Sequence, residues 1–220
     1  MPEFSHVLAK FIEHYDVFLD AALLTLKLTA ASLLIAIVIG LFFAFLKISR
    51  NKIFSLIADA YIGVVRGTPL IVQIFIFYFG LTEIVNMSGF WAATWGLAFH
   101  NGAYIAEIFR GSIQAVDKGQ TEAGRSLGMT TTLTMRRIIL PQAFRRALPP
   151  LGNQFIIGMK DSSLAAFISV PELFNIATTL GSSNFDPMTY LLIVAVYYLI
   201  LVLVLTVFVN MLEKRMSVSD

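Results

Sequence analysis

The chain is organised by long apolar runs, not by amphipathic stripes. Five windows are rich enough in hydrocarbon to cross a bilayer as helices: about 21–46, 53–79, 90–109, 148–170 and 187–212. A bilayer core of about 30 Å needs roughly 20 apolar residues of helix. The last window, YLLIVAVYYLILVLVLTVFV, is the cleanest. The second is interrupted by Arg66, Gly67, Thr68 and Pro69. Pro69 has no N–H and clashes with the carbonyl four residues back, so a kink or break is expected near Val65. Residues 1–20 mix Phe4, Val7, Leu8, Phe11 and Ile12 with charge, the pattern of an interfacial helix.

Composition supports this reading. The chain is 57% hydrophobic and 14% charged, with a mean hydropathy of +0.78. Soluble domains carry about 25% charged residues. There is no cysteine, so disulfides and thiolate metal sites are excluded, and a net charge of +2 does not point to nucleic acid. Residues 1–20 lack the basic start and apolar run of a cleavable signal.

Charge in the short links sets an orientation. Lys47, Arg50 and Lys52 occupy one link. Arg110, Lys118, Arg125, Arg136, Arg137, Arg145 and Arg146 occupy another, and Lys214 and Arg215 the tail. The alternate segments 1–20, 80–89 and 171–186 hold Lys10 alone against Glu3, Glu13, Asp16, Asp20, Glu83, Glu172 and Asp186. The expectation is an all-α integral membrane protein of five transmembrane helices. Its N-terminus is outside and its C-terminus cytoplasmic. Residues 1–20 form the external helix, 21–212 the membrane domain with a cytoplasmic loop at about 117–146, and 213–220 the tail.

Polar groups within the spans are costly, roughly 2.5–3.5 kcal/mol for a charge at mid-bilayer, and should face the protein interior or a watery cavity. The fourth window carries Gln154, Gly158 and Asp161 at helical spacing, followed by Ser162 and Ser163. The third carries His100, Asn101, Tyr104 and Glu107. Interhelical hydrogen bonding and ligand contact both account for Asn101 and Tyr104. Lys27 and Lys160 are explained by snorkelling to an interface. A broken helix at membrane depth is tolerated only where it is buried or lines a cavity, and such breaks bind charged ligand groups. An α-amino acid needs a cation for its carboxylate and an anion for its ammonium. Arg66 with Thr68 and Asp161 with Ser163 supply both, and Gln154 stands where a ligand side chain would reach. Lone histidines give no metal site.

The longest link reads DKGQTEAGRSLGMTTTLTMRRIILPQAFRRALPP. Residues around Glu122–Leu127 suit a short helix, Gly128 its C-terminal cap, and Thr130 or Thr131 the cap of a second helix that Pro141 limits. Either a basic surface loop or a docking site fits this pattern.

Glu122-Ala123-Gly124, three residues, Gly128, nine residues, Ile138, one residue and Leu140-Pro141 resembles the EAA loop of bacterial ABC importer permeases. Gly124 replaces the second alanine. The segments RGTPLIVQ, NGAYIAEIFRG, DKGQTEAG and LPPLGNQFIIGMKDSSL are similar to the polar amino acid branch of that superfamily, and the resemblance covers about residues 20–212.

The resemblance implies a type I ABC importer fold and a coupling helix that docks on a separate ATPase. Glu122 and Arg125 would be its charged contacts, Ala123 and Leu127 its packing contacts, and Gly128 its bend. It also implies an ATPase subunit dimer that binds ATP and magnesium, an extracytoplasmic amino-acid-binding protein, membrane lipid and a second permease chain, with a homodimer favoured. The implied location is the bacterial inner membrane. No phosphate-binding loop occurs in this chain, so no cofactor is expected in it. Substrates of this branch include neutral polar amino acids such as glutamine or cystine, which the amide of Gln154 favours, and basic amino acids such as arginine, histidine or lysine. A gated channel is the more distant alternative, and a membrane enzyme the least supported, since no catalytic constellation is present.

Overall fold

The computed structural model describes residues 2–80 and 85–216, with the side chains of 215 and 216 set aside. Glu83, the Arg215 side chain and residues 217–220 lie outside the described part, so their place in the charge count and the tail is not described. Helix α1 is Phe4–Glu13 and α2 is Tyr15–Lys47. The first turns of α2 thus lie within residues 1–20, because only a single residue, His14, breaks the two helices. Helices α3, Lys52–Gly67, and α4, Leu70–Phe75, follow, and α4 runs into a π turn at Ile76–Gly80. Then come α5, Gly89–Gln114; α6, Lys118–Ser126; α7, Thr131–Thr134; and α8, Leu140–Asp161. A 3₁₀ segment, Ser162–Ile168, leads to α9, Leu173–Ser183, and α10, Pro187–Met216, completes the chain.

Among the described residues, α2 and α10 are long and apolar enough to cross a membrane by themselves. Two bent pairs also qualify if each is one span: α3 with α4 and its π turn, bent by 107°, and Thr131–Ile168 with α9, bent by 48°. The break at Pro69 is therefore close to a right angle. Helix α5, expected as the third span, is not among these apolar helices. With 26 residues it is about 39 Å long, and its polarity follows from its position. It packs against α2, α3, α4, α8 and the 3₁₀ segment. A helix shielded by neighbours can carry Asn101 and His100 without presenting them to lipid.

The α2–α5 contact is very close. A Cβ on Gly40 would fall 2.5 Å from Ile105 Cγ2, and one on Gly102 would fall 2.7 Å from Ile39 Cγ2 and 2.8 Å from the Tyr61 hydroxyl. Two glycines, one on each helix, let the backbones approach, as small residues do in membrane bundles. Leu33, Ala36, Ala98 and Ile105 fill the seam, with Ala147 and Leu151 of α8 beside them.

Two expectations are corrected. Pro141 does not end the helix that Thr130 begins. The chain widens into a π turn at Met135–Ile139, where Leu140 N–H bonds to Met135 O, and Pro141 then sits at the start of α8, where its missing N–H costs nothing. The fourth apolar window accordingly begins inside a helix already under way, which passes through Pro149 and Pro150. The segment 171–186, expected outside, is mostly helix α9, whose start is set by a residue read only as a charge. Glu172 is fully buried, accepts from Phe174 N (3.0 Å) and Asn175 N (2.7 Å), and receives the Tyr198 hydroxyl of α10 at 2.8 Å. Thr25 of α2 accepts from Leu173 N at 3.2 Å. One capping site thus ties α2, α9 and α10 together.

Helix α1 folds back on this corner. Phe11 and Phe18 stack on Tyr197 with centroids 5.4 and 5.3 Å apart. His6 Nε2 lies 2.8 Å from Asp186 Oδ2. Its other side leaves Phe4 81% and Ile12 62% exposed, the disposition of a helix lying on an interface.

Glu172→Ala removes the acceptor of two helix amides and of Tyr198. It is expected to cost about 2–4 kcal/mol, read as a lowered melting temperature of the detergent-solubilised protein. Glu172→Gln, which keeps one acceptor oxygen, is expected to lose less.

Candidate functional site

The break between α3 and α4 is a stitched structure. Thr68 and Pro69 are extended, with ψ of 146° and 137°, so the last carbonyls of α3 lose their helical partners. The Thr68 hydroxyl donates to Val64 O at 2.9 Å. Gln73, one turn beyond Pro69, reaches back: its amide nitrogen lies 2.8 Å from Val65 O and 2.9 Å from Thr68 Oγ1. Its carbonyl oxygen is 3.1 Å from His100 Nδ1 on α5. An amide oxygen only accepts, so Nδ1 carries the proton. Gln73 lies within RGTPLIVQ, where no role for it was expected. An amide four residues after a proline in an apolar run is the signal that would have found it.

Arg66 stands at the exposed lip of this break. Its guanidinium carbon is 5.2 Å from the centroid of the Tyr104 ring, a cation–π contact, and Tyr104 rests against His100 with ring centroids 5.1 Å apart. Among the described residues Arg66 makes no ion pair. Glu107, a potential partner by sequence, is taken by Arg110 at 2.8 Å and lies 3.8 Å from Lys47. Lys47 also pairs with Asp59. These charges tie the adjoining ends of α2, α3 and α5.

The remaining predicted residues fall into a second group, on α8. Gln154 Nε2 donates to Asn101 Oδ1 at 2.7 Å, and Asn101 in turn donates to Leu97 O at 2.9 Å. The space beside Gly158 is filled by Leu33 of α2, whose Cδ2 would lie 3.2 Å from an added Cβ. Ser163 donates to Lys160 O at 2.8 Å. Asp161 is half-buried and, among the described residues, forms no ion pair or hydrogen bond. Arg66 and Asp161 do not touch; their helices share α5 as a neighbour. Thr68 and Gln154 are spent on holding helices; Arg66 and Asp161 are the charged members of the predicted site, and neither has an ion-pair partner among the described residues.

The EAA-type segment is built as its residues require. Asp117 caps α6 by accepting from Gly119 N at 2.6 Å. At the other end Gly128 N–H bonds to Arg125 O (2.9 Å) and Met129 N–H to Gly124 O (3.0 Å), with Gly128 at φ +78. This is the reverse turn that needs a left-handed residue. Thr130 then caps α7 through Leu133 N at 3.3 Å. Glu122, Ala123 and Arg125 are exposed, and Leu127 is 82% exposed. The opposite side is closed. Gly124 is buried, and a Cβ there would meet Thr134 Cγ2 at 2.9 Å and Ile138 Cδ1 at 3.1 Å. The glycine that departs from the family pattern is where α6 rests on α7 and the π turn.

An all-helical bundle with a stitched helix break, buried interhelical amides and an exposed two-helix projection has the architecture of a membrane transport subunit. The chain belongs to the family described as binding-protein-dependent transport system inner membrane component, whose family model matches residues 36–218. It is 43% identical over 192 residues to the probable amino-acid ABC transporter permease protein YckA of Bacillus subtilis (strain 168), covering 87% of this chain and 85% of that one. It is 40% identical over 203 residues to the glutamine transport system permease protein GlnP of Escherichia coli (strain K12), covering 91% and 93%. It is 35% identical over 204 residues to the arginine transport system permease protein ArtQ of Bacillus subtilis (strain 168), covering 92% and 93%. A solved chain described as an amino acid ABC transporter with histidines superposes with a TM-score of 0.89 at 38% identity, covering 98% and 99%.

Gly128→Ala is expected to destabilise the α6–α7 turn by about 1–2 kcal/mol through its left-handed backbone alone, because no atom lies within 4 Å of the added Cβ. Gly124→Ala improves helix propensity yet must displace Thr134. Hydrogen exchange is expected to quicken at α6 amides in both variants, and wild-type protection in Gly124→Ala would contradict the close packing.

Proposed function

We propose that this chain is the membrane-spanning subunit of an ATP-binding-cassette importer that moves a polar amino acid across the cytoplasmic membrane. It crosses five times, with its N-terminus outside, and works as one of two copies. A separate ATPase dimer drives it, and an extracytoplasmic binding protein loads it. The observation that carries the reading is α6. It is short, closed by Gly128, packed on one side by α7, and presents Glu122, Ala123, Arg125 and Leu127 outward on the other. An apolar side chain left 82% exposed beside charged ones fits a surface covered by another subunit.

The substrate reading rests on the two unfilled charges. Arg66, held over Tyr104 and without a carboxylate partner among the described residues, would take the α-carboxylate through paired hydrogen bonds. Asp161 would take the ammonium. Thr68, Asn101, Tyr104, Gln154, Gly158 and Ser163 would frame the passage, and Gln154 keeps its carbonyl oxygen for a polar side chain. A neutral polar substrate such as glutamine or cystine is favoured. The unpaired carboxylate of Asp161 favours a second reading, a basic amino acid, and the arginine and glutamine relatives lie on either side of that choice.

Transport assays in proteoliposomes containing the ATPase and binding protein separate these roles. Arg66→Gln and Asp161→Asn are each expected to weaken uptake by about 10- to 100-fold, the equivalent of one charge-assisted hydrogen bond, while the protein still inserts. Wild-type uptake in both variants would refute the site. Gly128→Asp is expected to leave insertion intact and to abolish the link between ATP hydrolysis and uptake. Coupled transport at the normal rate would remove α6 from its role.

A further inference from the structure

The corner between α9 and α10 holds a backbone anomaly that the substrate site does not use. Helix α9 closes with two reverse hydrogen bonds, Phe185 N–H to Ser182 O at 3.3 Å and Asp186 N–H to Gly181 O at 2.9 Å. This closure needs a left-handed residue at position 185, a place ordinarily filled by glycine or asparagine. Here it is phenylalanine, at φ 53. A bulky residue in that region is a genuine outlier. Its ring is 94% exposed, the highest exposure of any large hydrophobic side chain among the described residues, so burial within the chain does not offset the strain.

The turn is held firmly. Asp186 meets His6 of α1 at 2.8 Å and accepts from Thr189 N at 3.4 Å. Gly181 lies so near Pro187 that an added Cβ would fall 2.9 Å from the proline Cα. Ser182, Ser183 and Asn184 beside the ring are exposed. A braced turn thus displays one bare aromatic ring within a polar rim. That is the composition of a protein-interface anchor: an aromatic centre that fills a partner's pocket, with polar groups around it.

We propose that Phe185 is the anchor by which this chain engages its extracytoplasmic binding protein, with the ring entering an apolar pocket of that protein. The inference rests on the proposed importer function, which places residues 171–186 outside. The family's dependence on a binding protein supplies a partner on that side. Lipid headgroups are the competing occupant. Aromatic residues at a membrane surface are typically Trp or Tyr. The stretch 182–188 has neither, has no Lys or Arg, and carries Asp186. A protein pocket therefore fits better than a headgroup layer.

The test uses the whole transporter, two permease chains with the ATPase, in phosphatidylethanolamine–phosphatidylglycerol nanodiscs. Its ligand is the purified binding protein that stimulates the wild type. F185A and F185G are both expected to weaken that protein's Kd by at least 10-fold and to lower stimulated ATP hydrolysis, with basal hydrolysis unchanged. Glycine suits the backbone at position 185, so a loss shared by F185G does not arise from a damaged turn. Wild-type affinity in both variants overturns the proposal. Wild-type affinity in F185W together with quenching of its fluorescence by brominated lipid also overturns it, and assigns the ring to the membrane. A wild-type transporter that no extracytoplasmic binding protein stimulates overturns both the proposal and the importer reading beneath it.

Discussion

Backbone groups in a bilayer have no water to bond with, and this constraint governs how the α3–α4 break can exist. Each unsatisfied carbonyl there would cost several kcal/mol. The break survives because Thr68 covers Val64 and because Gln73 covers Val65, with Gln73 itself held by His100 of α5. Without α5, Gln73 would lose the His100 contact that holds its amide toward Val65 O. The central position of α5 is thus a requirement of the break, and its polarity follows from that position. A helix that offers His100 to one neighbour and Asn101 to another keeps those residues turned toward protein.

The same economy explains why α2 and α5 pack so closely. Hydrophobic burial gives little driving force between helices when the surroundings are themselves hydrocarbon. Contact area and polar bonds must supply it. Gly40 and Gly102 bring the two backbones within reach of Ile105, Ile39 and Tyr61, and Tyr61 completes the contact by donating to Phe99 O at 2.7 Å. Elsewhere one buried carboxylate, Glu172, binds α9 to α10, and Thr25 of α2 holds the adjoining Leu173 amide, where apolar contact alone would leave these helices free to slide.

Local signals were legible in the sequence where a residue acts on its own backbone. Gly128, Thr130 and Pro69 each impose a conformation within a few residues, and each does so in the structure. The family pattern was legible as well, because it depends on order and spacing. What escaped depended on distant partners. Pro141 read as a stop, since nothing in the linear pattern shows that a π turn will absorb its missing N–H. Helix α9 went unread in segment 171–186 because its cap, Glu172, reads as a surface charge, whereas Tyr198 of the distant α10 joins the Phe174 and Asn175 amides in holding it buried. Gly124 read only as a departure from the second alanine of the family pattern, whereas it is where α6 contacts Thr134 and Ile138.

The polar residues of the candidate site divide by whether their valence is spent. Thr68, Asn101, Gln154 and Ser163 each use hydrogen bonds to hold the fold. Such residues can shape a passage, but a ligand reaching them must compete with an internal bond already made, which limits what they contribute to affinity. Arg66 and Asp161 are ionisable groups with no ion-pair partner among the described residues. A pathway residue that must grip and then release benefits from this state. A permanent internal ion pair would have to be broken at every turnover, whereas the face of Tyr104 holds Arg66 in place through a contact worth about 0.5–1 kcal/mol at an exposed site. The aromatic ring therefore orients the cation without occupying its hydrogen-bond donors. In the proposed site that is the electrostatic condition for weak, reversible binding, with Tyr104 keeping Arg66 available.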